Sequence, residues 1–176
     1  LGNALRLREG GFNLDGSGYA EVADDASLDF GTGDFSIECW AKAKVVGNFN
    51  VIVSLGGNVV GDNSAGIGTY LSTTKFRAFI GGSRLDSNNV FVVGNWYHLV
   101  ITRDSGTCTF YVDTVAQSDT ETNTNSITNA LVKQLGRDTS TDRFYTDVID
   151  DTRMYNIALS QKEIDNNYKI GLSKHS

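Results

Sequence analysis

The stretch Val148-Ile-Asp-Asp-Thr-Arg-Met-Tyr-Asn-Ile-Ala-Leu-Ser-Gln-Lys-Glu-Ile164 decides how the chain is read. Arg153, Met154 and Tyr155 follow Asp150 and Asp151, alternating long charged and apolar side chains as a strand does. Asn156 turns the chain. Ser160 with Glu163 three residues on is a capping-box pattern, which predicts a helix of one or two turns starting near Gln161. A strand carrying a carboxylate pair, a turn and a short helix is a closing unit, and it needs a sheet to close.

The remainder supplies that sheet. The 176 residues suit one domain spanning 1–176, and 40% apolar with 20% charged residues is a globular balance. Nineteen glycines and no proline, with Gly, Asn, Asp, Ser and Thr clustered between short apolar runs, point to many strands joined by turns. Phe35-Ser-Ile-Glu-Cys-Trp-Ala-Lys42 alternates cleanly, placing Phe35, Ile37, Cys39 and Ala41 on one face and Ser36, Glu38, Trp40 and Lys42 on the other. Val51 to Leu55 is apolar enough for burial on both faces. Trp96 to Thr102 is the longest apolar strand; Asp104-Ser-Gly106 turns it into a hairpin with Cys108 to Val112. Phe12 to Leu14 and Tyr19 to Val22 flank Asp15-Gly-Ser-Gly18 as a hairpin or bent edge strand. Ile67 to Leu71 and Phe76 to Ile80 pair across Ser72 to Lys75. Arg84 to Asn89 reads as a polar loop, Asp119 to Asn129 as a long loop or weak edge, and Leu131 to Leu135 as a further strand. About a dozen short strands with one terminal helix mean an all-β, two-sheet antiparallel sandwich.

The formal net charge of −6 disfavours nucleic-acid and anionic-membrane partners, and no run reaches the ~18 apolar residues that a membrane span needs. The start at Leu1 suggests a piece of something longer. Cys39 and Cys108 fall on the apolar sides of their strands and read as buried free thiols, with a disulfide as the alternative.

Three segments in order carry a family resemblance. Gly18-Tyr-Ala-Glu-Val22, Leu28-Asp-Phe30 and Gly33-Asp-Phe-Ser-Ile-Glu-Cys-Trp-Ala-Lys42 resemble the opening of laminin G-like, concanavalin A-like jelly rolls. Asn95-Trp-Tyr-His-Leu-Val-Ile-Thr-Arg-Asp-Ser-Gly106 with Phe110-Tyr-Val-Asp113 resembles their central hairpin. Leu135-Gly-Arg137 and Ile149 to Leu159 resemble their closing strand and turn. Thr114 stands where the family often has glycine. Cys39 lies one residue off the pentraxin cysteine, and Val100 stands where its partner would be, so that disulfide is not carried over.

The resemblance implies a structural cation held through an aspartate of the closing strand. Asp150 is similar to that residue, and Asp15, Gly33 and Asp34 are the early oxygen donors nominated beside it for one calcium ion. The alternative is that Asp15 and Asp34 cap turns and Asp150 pairs with an arginine such as Arg153. Glycan sites combine a ring with planar polar groups. Tyr70, Trp40 and Trp96 are the ring candidates, and Arg77, Arg84, Asn88 and Asn89 the polar ones; core packing explains the tryptophans equally well. For hydrolysis, paired carboxylates are needed. Glu38 stands alone on its strand face and reads as a surface or cleft-rim residue, Asp150 and Asp151 point to opposite faces if extended, and His98 reads as structural. The expectation is therefore a non-catalytic carbohydrate-binding or adhesion module of a secreted or surface protein, with glycan or other surface proteins as partners. The alternative is a structural module of a virion or surface layer, and a glycoside hydrolase comes third.

Overall fold

The computed structural model describes residues 11–44, 49–70, 74–140 and 143–175. The turn expected at Ser72 and Thr73 and the start at Leu1 lie outside them. Among the described residues, twelve strands form two six-stranded antiparallel sheets. The first runs β1 (Phe12–Asp15), β12 (Thr146–Tyr155), β3 (Phe35–Lys42), β8 (Trp96–Asp104), β9 (Thr107–Val112), β10 (Val115–Thr122). The second runs β2 (Ala20–Val22), β11 (Lys133–Leu135), β4 (Phe49–Ser54), β5 (Ala65–Tyr70), β6 (Lys75–Ile80), β7 (Ser83–Asp86). The first and last strands pair, Phe12 opposite Ile149 and Asp15 opposite Thr146.

Alternation builds the core as the sequence requires. Phe35, Ile37, Cys39 and Ala41 on β3, with Leu99 and Ile101 on β8, pack with Ile67 on β5, Phe76, Ala78 and Ile80 on β6 and Leu85 on β7. Ile52 and Val53 are both buried, as the unbroken apolar run of β4 demands. Cys39 and Cys108 are buried and unbridged. Burial pushes both thiols up, Cys108 to about 11. At the β8–β9 turn Ser105 (φ 50°) and Gly106 (φ 83°) both take positive φ, the geometry of a two-residue hairpin loop.

Four readings of the chain need correction. Of the two readings of Asp15-Gly-Ser-Gly18, the hairpin fails and the bent edge strand holds: it carries the chain from the edge of one sheet to the edge of the other, β1 beside β12 and β2 beside β11. Arg84 to Asp86 is strand, not loop, because β7 pairs with β6 from Ile80↔Ser83 to Arg77↔Asp86. Of the two readings of Asp119 to Asn129, the edge strand holds as far as Thr122, but it begins earlier, at Val115, where its solvated face hides the periodicity. The terminal helix α1 spans Gln161–His175, fifteen residues rather than one or two turns.

The start of α1 follows from its cap. Ser160 N–H and Oγ–H donate to Glu163 Oε2 at 2.8 and 2.7 Å, and Glu163 N–H donates back to Ser160 Oγ at 3.4 Å. Its length follows from docking. Ile164, Gly171 and His175 are buried, at helical spacing with Asn167 and Tyr168, and this stripe covers the outer face of the first sheet. Tyr168 stacks on Trp40 with ring centroids 5.4 Å apart. A Cβ on Gly171 would run into the indole nitrogen of Trp40, which is itself almost fully buried.

Two outcomes follow. Exchanging helical glycine for alanine ordinarily stabilises by about 1 kcal/mol, but Gly171→Ala should destabilise by about 1–3 kcal/mol because the indole has no room to retreat. Thermal melting should fall by roughly 3–10 °C, with loss of the tryptophan near-ultraviolet signal; an unchanged or raised melting point contradicts the docking. Cys39 and Cys108 should react with a thiol reagent only after denaturation, and the intact mass under non-reducing conditions should be that of two free thiols.

Candidate functional site

Each expected site residue has a definite place. Glu38 is not at a rim. It is 0% exposed, because α1 lies over the β3 face that carries it. Arg153 Nη1 and Tyr155 Oη donate to Glu38 Oε1 at 2.7 and 2.8 Å, Asn167 Nδ2 donates to Oε2 at 3.0 Å, and His98 Nε2 lies 3.5 Å from Oε2. Burial pushes the Glu38 pKa up, but bonds from His98, Arg153, Tyr155 and Asn167 outweigh it and bring it down to about 2. Burial, then the Glu38 charge, pushes the Tyr155 hydroxyl up to about 12. Trp40 is buried with Glu38 beneath α1, and Trp96 packs against His175 at 4.3 Å. Both indoles serve packing.

The expected calcium ligands do not converge. Asp15 Oδ1 accepts from Ser17 N–H, Ser17 Oγ–H and Gly18 N–H at 2.8–2.9 Å, and these bonds, the Ser17 hydroxyl foremost, hold it at about 2. The Gly33 carbonyl accepts from Arg103 Nε at 2.9 Å and Nη2 at 2.6 Å, and Asp34 Oδ1 accepts from Ser105 N–H at 2.7 Å. Along β12, Asp15 stands opposite Thr146, while Gly33 and Asp34 lie beyond the Tyr155↔Ser36 pair at the other end. A ten-residue strand separates them, roughly 30 Å at ~3.3 Å per residue. No single ion spans that distance, so this ligand set is corrected: Asp15 and Asp34 cap turns, and Gly33 holds a buried guanidinium. Asp150 pairs with neither group, nor with Arg153, which goes to Glu38 and Asp151.

Asp150 and Asp151 do not point to opposite faces either. β12 has one residue more than β3 between the pairs Asp150↔Trp40 and Arg153↔Glu38, and Asp151 takes φ 46°. This bulge re-aims its carboxylate. Oxygens of Asp150 and Asp151 and a nitrogen of His175 lie within 4.8 Å of one another. Burial pushes the His175 imidazole down against the pull of the two aspartates.

The ring and arginine candidates do meet, on the outer face of the second sheet. Arg77 Cζ lies 4.3 Å from the Tyr70 ring centroid. Arg77 Nη2 donates to Asp86 Oδ2 at 2.7 Å, directly across the β6–β7 ladder. Arg84 pairs with Phe79 on the same ladder, and its parity with Asp86 puts it on the same face. Phe49 extends this face, 6.5 Å from Tyr70 and with Arg143 Cζ 4.9 Å above its own ring. Gly68, opposite Arg77, makes the room: a Cβ there would stand 2.8 Å from the Phe49 ring. Asn88 lies outside this group. Its Oδ1 accepts from Ser118 N–H and Oγ–H at 2.9 and 2.7 Å, tying the end of β7 to β10. Phe49, Arg143 and Asp86 were not singled out from sequence; strand parity marks Phe49 and Asp86, but nothing local marks Arg143.

Two six-stranded antiparallel sheets closed by a helix define a jelly-roll sandwich. The chain belongs to the concanavalin A-like lectin/glucanases superfamily, whose laminin G-like family model matches residues 14–165. A search of curated proteins finds no match. Among solved structures it is similar to Trypanosoma rangeli sialidase in complex with the inhibitor DANA, at 17% identity and TM-score 0.66, covering 90% of this chain but 27% of the sialidase. It is also similar to domain 4 of AbnA, a GH43 extracellular arabinanase from Geobacillus stearothermophilus in complex with arabinotriose, at 18% identity and TM-score 0.67 (88% of this chain, 74% of that one). A SAP-like pentraxin from Limulus polyphemus matches at 14% identity and TM-score 0.58, covering 75% and 68%. At these identities the likeness is one of fold.

The Glu38 cluster sets an acid dependence. The folded pKa lies below the unfolded value of 4.5, so its contribution is complete above that value and is lost as pH falls toward about 2. Glu38→Gln leaves Arg153 without its buried partner and should cost about 3 kcal/mol at pH 7. Its melting point should be lower by roughly 6–12 °C and should depend less on pH between 4.5 and 2 than the wild type's; parallel pH profiles would contradict the assignment.

Proposed function

We propose that the chain is a non-catalytic carbohydrate-binding or adhesion module of a secreted or surface-exposed protein, taking glycan on the outer face of the second sheet. The observation that carries this reading is the Tyr70–Arg77–Asp86 group. An aromatic face lies beside a guanidinium and a carboxylate held in fixed relation, on the sheet that α1 leaves uncovered. A sugar ring offers apolar C–H faces to Tyr70 and vicinal hydroxyls to Arg77 and Asp86, and Arg84 stands on the same face. Sheet strands hold these groups more rigidly than loops would, which favours recognition.

Superfamily membership and the printed ligand of the AbnA domain, arabinotriose, support a sugar as the ligand class. The non-catalytic part rests on Glu38, whose neighbours at hydrogen-bonding distance are all donors and which α1 covers. A second reading, a structural module contacting other proteins, draws on Val90, Val92 and Val93 between β7 and β8, each more than half exposed.

A glycan array with the wild type, Tyr70→Ala and Arg77→Ala tests the proposal. Binding to a defined glycan should fall at least tenfold in each variant, with melting points within a few degrees of wild type. Absence of any glycan binding, together with self-association lost on Val92→Ser, supports the structural reading. Hydrolysis of a β-glucan abolished by Glu38→Gln would overturn both.

A further inference from the structure

We infer that Asp150, Asp151 and His175 form a site for a divalent transition-metal ion of the zinc class, joining the C-terminal helix to the bulge of β12. The inference is independent of the glycan site. It differs from a calcium site through Asp15, Gly33 and Asp34, whose atoms do not converge.

His175 is the observation that points to a ligand. It is 7% exposed, and neither of its ring nitrogens has a hydrogen-bond partner. A buried imidazole with two idle nitrogens is unfavourable unless something else fills them. The ring is fixed by the indoles of Trp40 at 4.6 Å and Trp96 at 4.3 Å. In that pose Nε2 lies 3.6 Å from Asp150 Oδ2 and 4.0 Å from Asp151 Oδ2. These separations are long for hydrogen bonds. They are near the ~3.3 Å that separates two ligand atoms on one tetrahedral ion with bonds of about 2.0–2.1 Å.

The carboxylates are also arranged for this role. Asp150 Oδ1 accepts from Asp151 N–H at 2.7 Å, which orients the carboxylate and leaves Oδ2 facing the imidazole. The positive φ of Asp151 brings its carboxylate to the same side of β12. Two cations already touch Asp151. Arg153 Nη2 is 3.4 Å from Oδ1, and Lys174 Nζ is 3.0 Å from Oδ2 with its side chain half exposed. Lys174 can swing into solvent when an ion takes Oδ2, since such exposed pairs contribute little. Arg153 keeps Oδ1. Two oxygens and one imidazole leave a fourth position for water, and imidazole selects zinc, cobalt or nickel over calcium and magnesium.

The test uses tag-free, chelator-stripped chain. Zinc and cobalt should each bind with one-to-one stoichiometry by calorimetry, cobalt with the visible absorption of a low-coordinate ion. Zinc should raise the melting point while equal calcium or magnesium leaves it in place, because the ion binds the folded form. His175→Gln and Asp150→Asn should each weaken zinc at least tenfold. Asparagine keeps an acceptor for the Asp151 N–H, so Asp150→Asn reads the site if His175→Gln does not fold. No stoichiometric zinc binding, equal binding by both folded variants, or calcium binding as tight as zinc overturns the inference.

Discussion

A carboxylate buried in the middle of a sheet is costly unless donors fill its lone pairs, and at Glu38 they come from three directions. Arg153 and Tyr155 reach it from β12, Asn167 from α1, and His98 stands beside it on β8. This cluster makes α1 part of the fold rather than an appendage. Removing the helix would expose Glu38 and Trp40 together, one losing a hydrogen bond and the other its cover. Sheet and helix therefore specify each other.

That docking covers the outer face of the first sheet with a helix, whereas the outer face of the second is covered in part by the loop carrying Val59 and Val60, which buries Val51 and Phe79. The outer face of the first sheet carries Glu38, Trp40, His98 and Val100, all buried under or beside α1 and the chain leading into it. Among the described residues, no helix lies over the outer face of the second sheet. Its rings and guanidinium groups pack on one another, Tyr70 with Arg77 and Phe49 with Arg143. The reading of this face as a sugar platform depends on the other being closed. At the far end of α1, the same docking presses His175 between two indoles and against the bulge of β12.

Alternation along Phe35–Lys42 and Trp96–Asp104, the Ser160–Glu163 cap and the turn at Asp104–Gly106 are local properties. Each was legible because a strand's period of two, a capping box and a hairpin turn need only neighbouring residues. Tyr70 and Arg77 were legible on strands read from the sequence, whereas Arg84 stood in a stretch read as loop; pairing of β7 with β6 and strand parity bring the three to one face. The four nominated oxygen donors lie apart because resemblance located a strand, Asp150 on β12, without saying which end of it the other donors occupy.

By itself, then, the sequence determined the central strands with their inward faces, the helix start and the sandwich class, because periodicity and capping are written over a few consecutive residues, while the edge strands β7 and β10 needed their partners to be seen. Only the tertiary structure decided how far α1 extends, that Glu38 is buried and ionised, and that Asp150 and Asp151 share a side with His175. Those outcomes depend on contacts across long separations, 115 positions from Glu38 to Arg153, and on one inserted residue in a strand register. The alternation around Glu38 says only that it faces away from Phe35 and Ile37. Whether that face meets water or a helix is set by packing, and packing is not periodic.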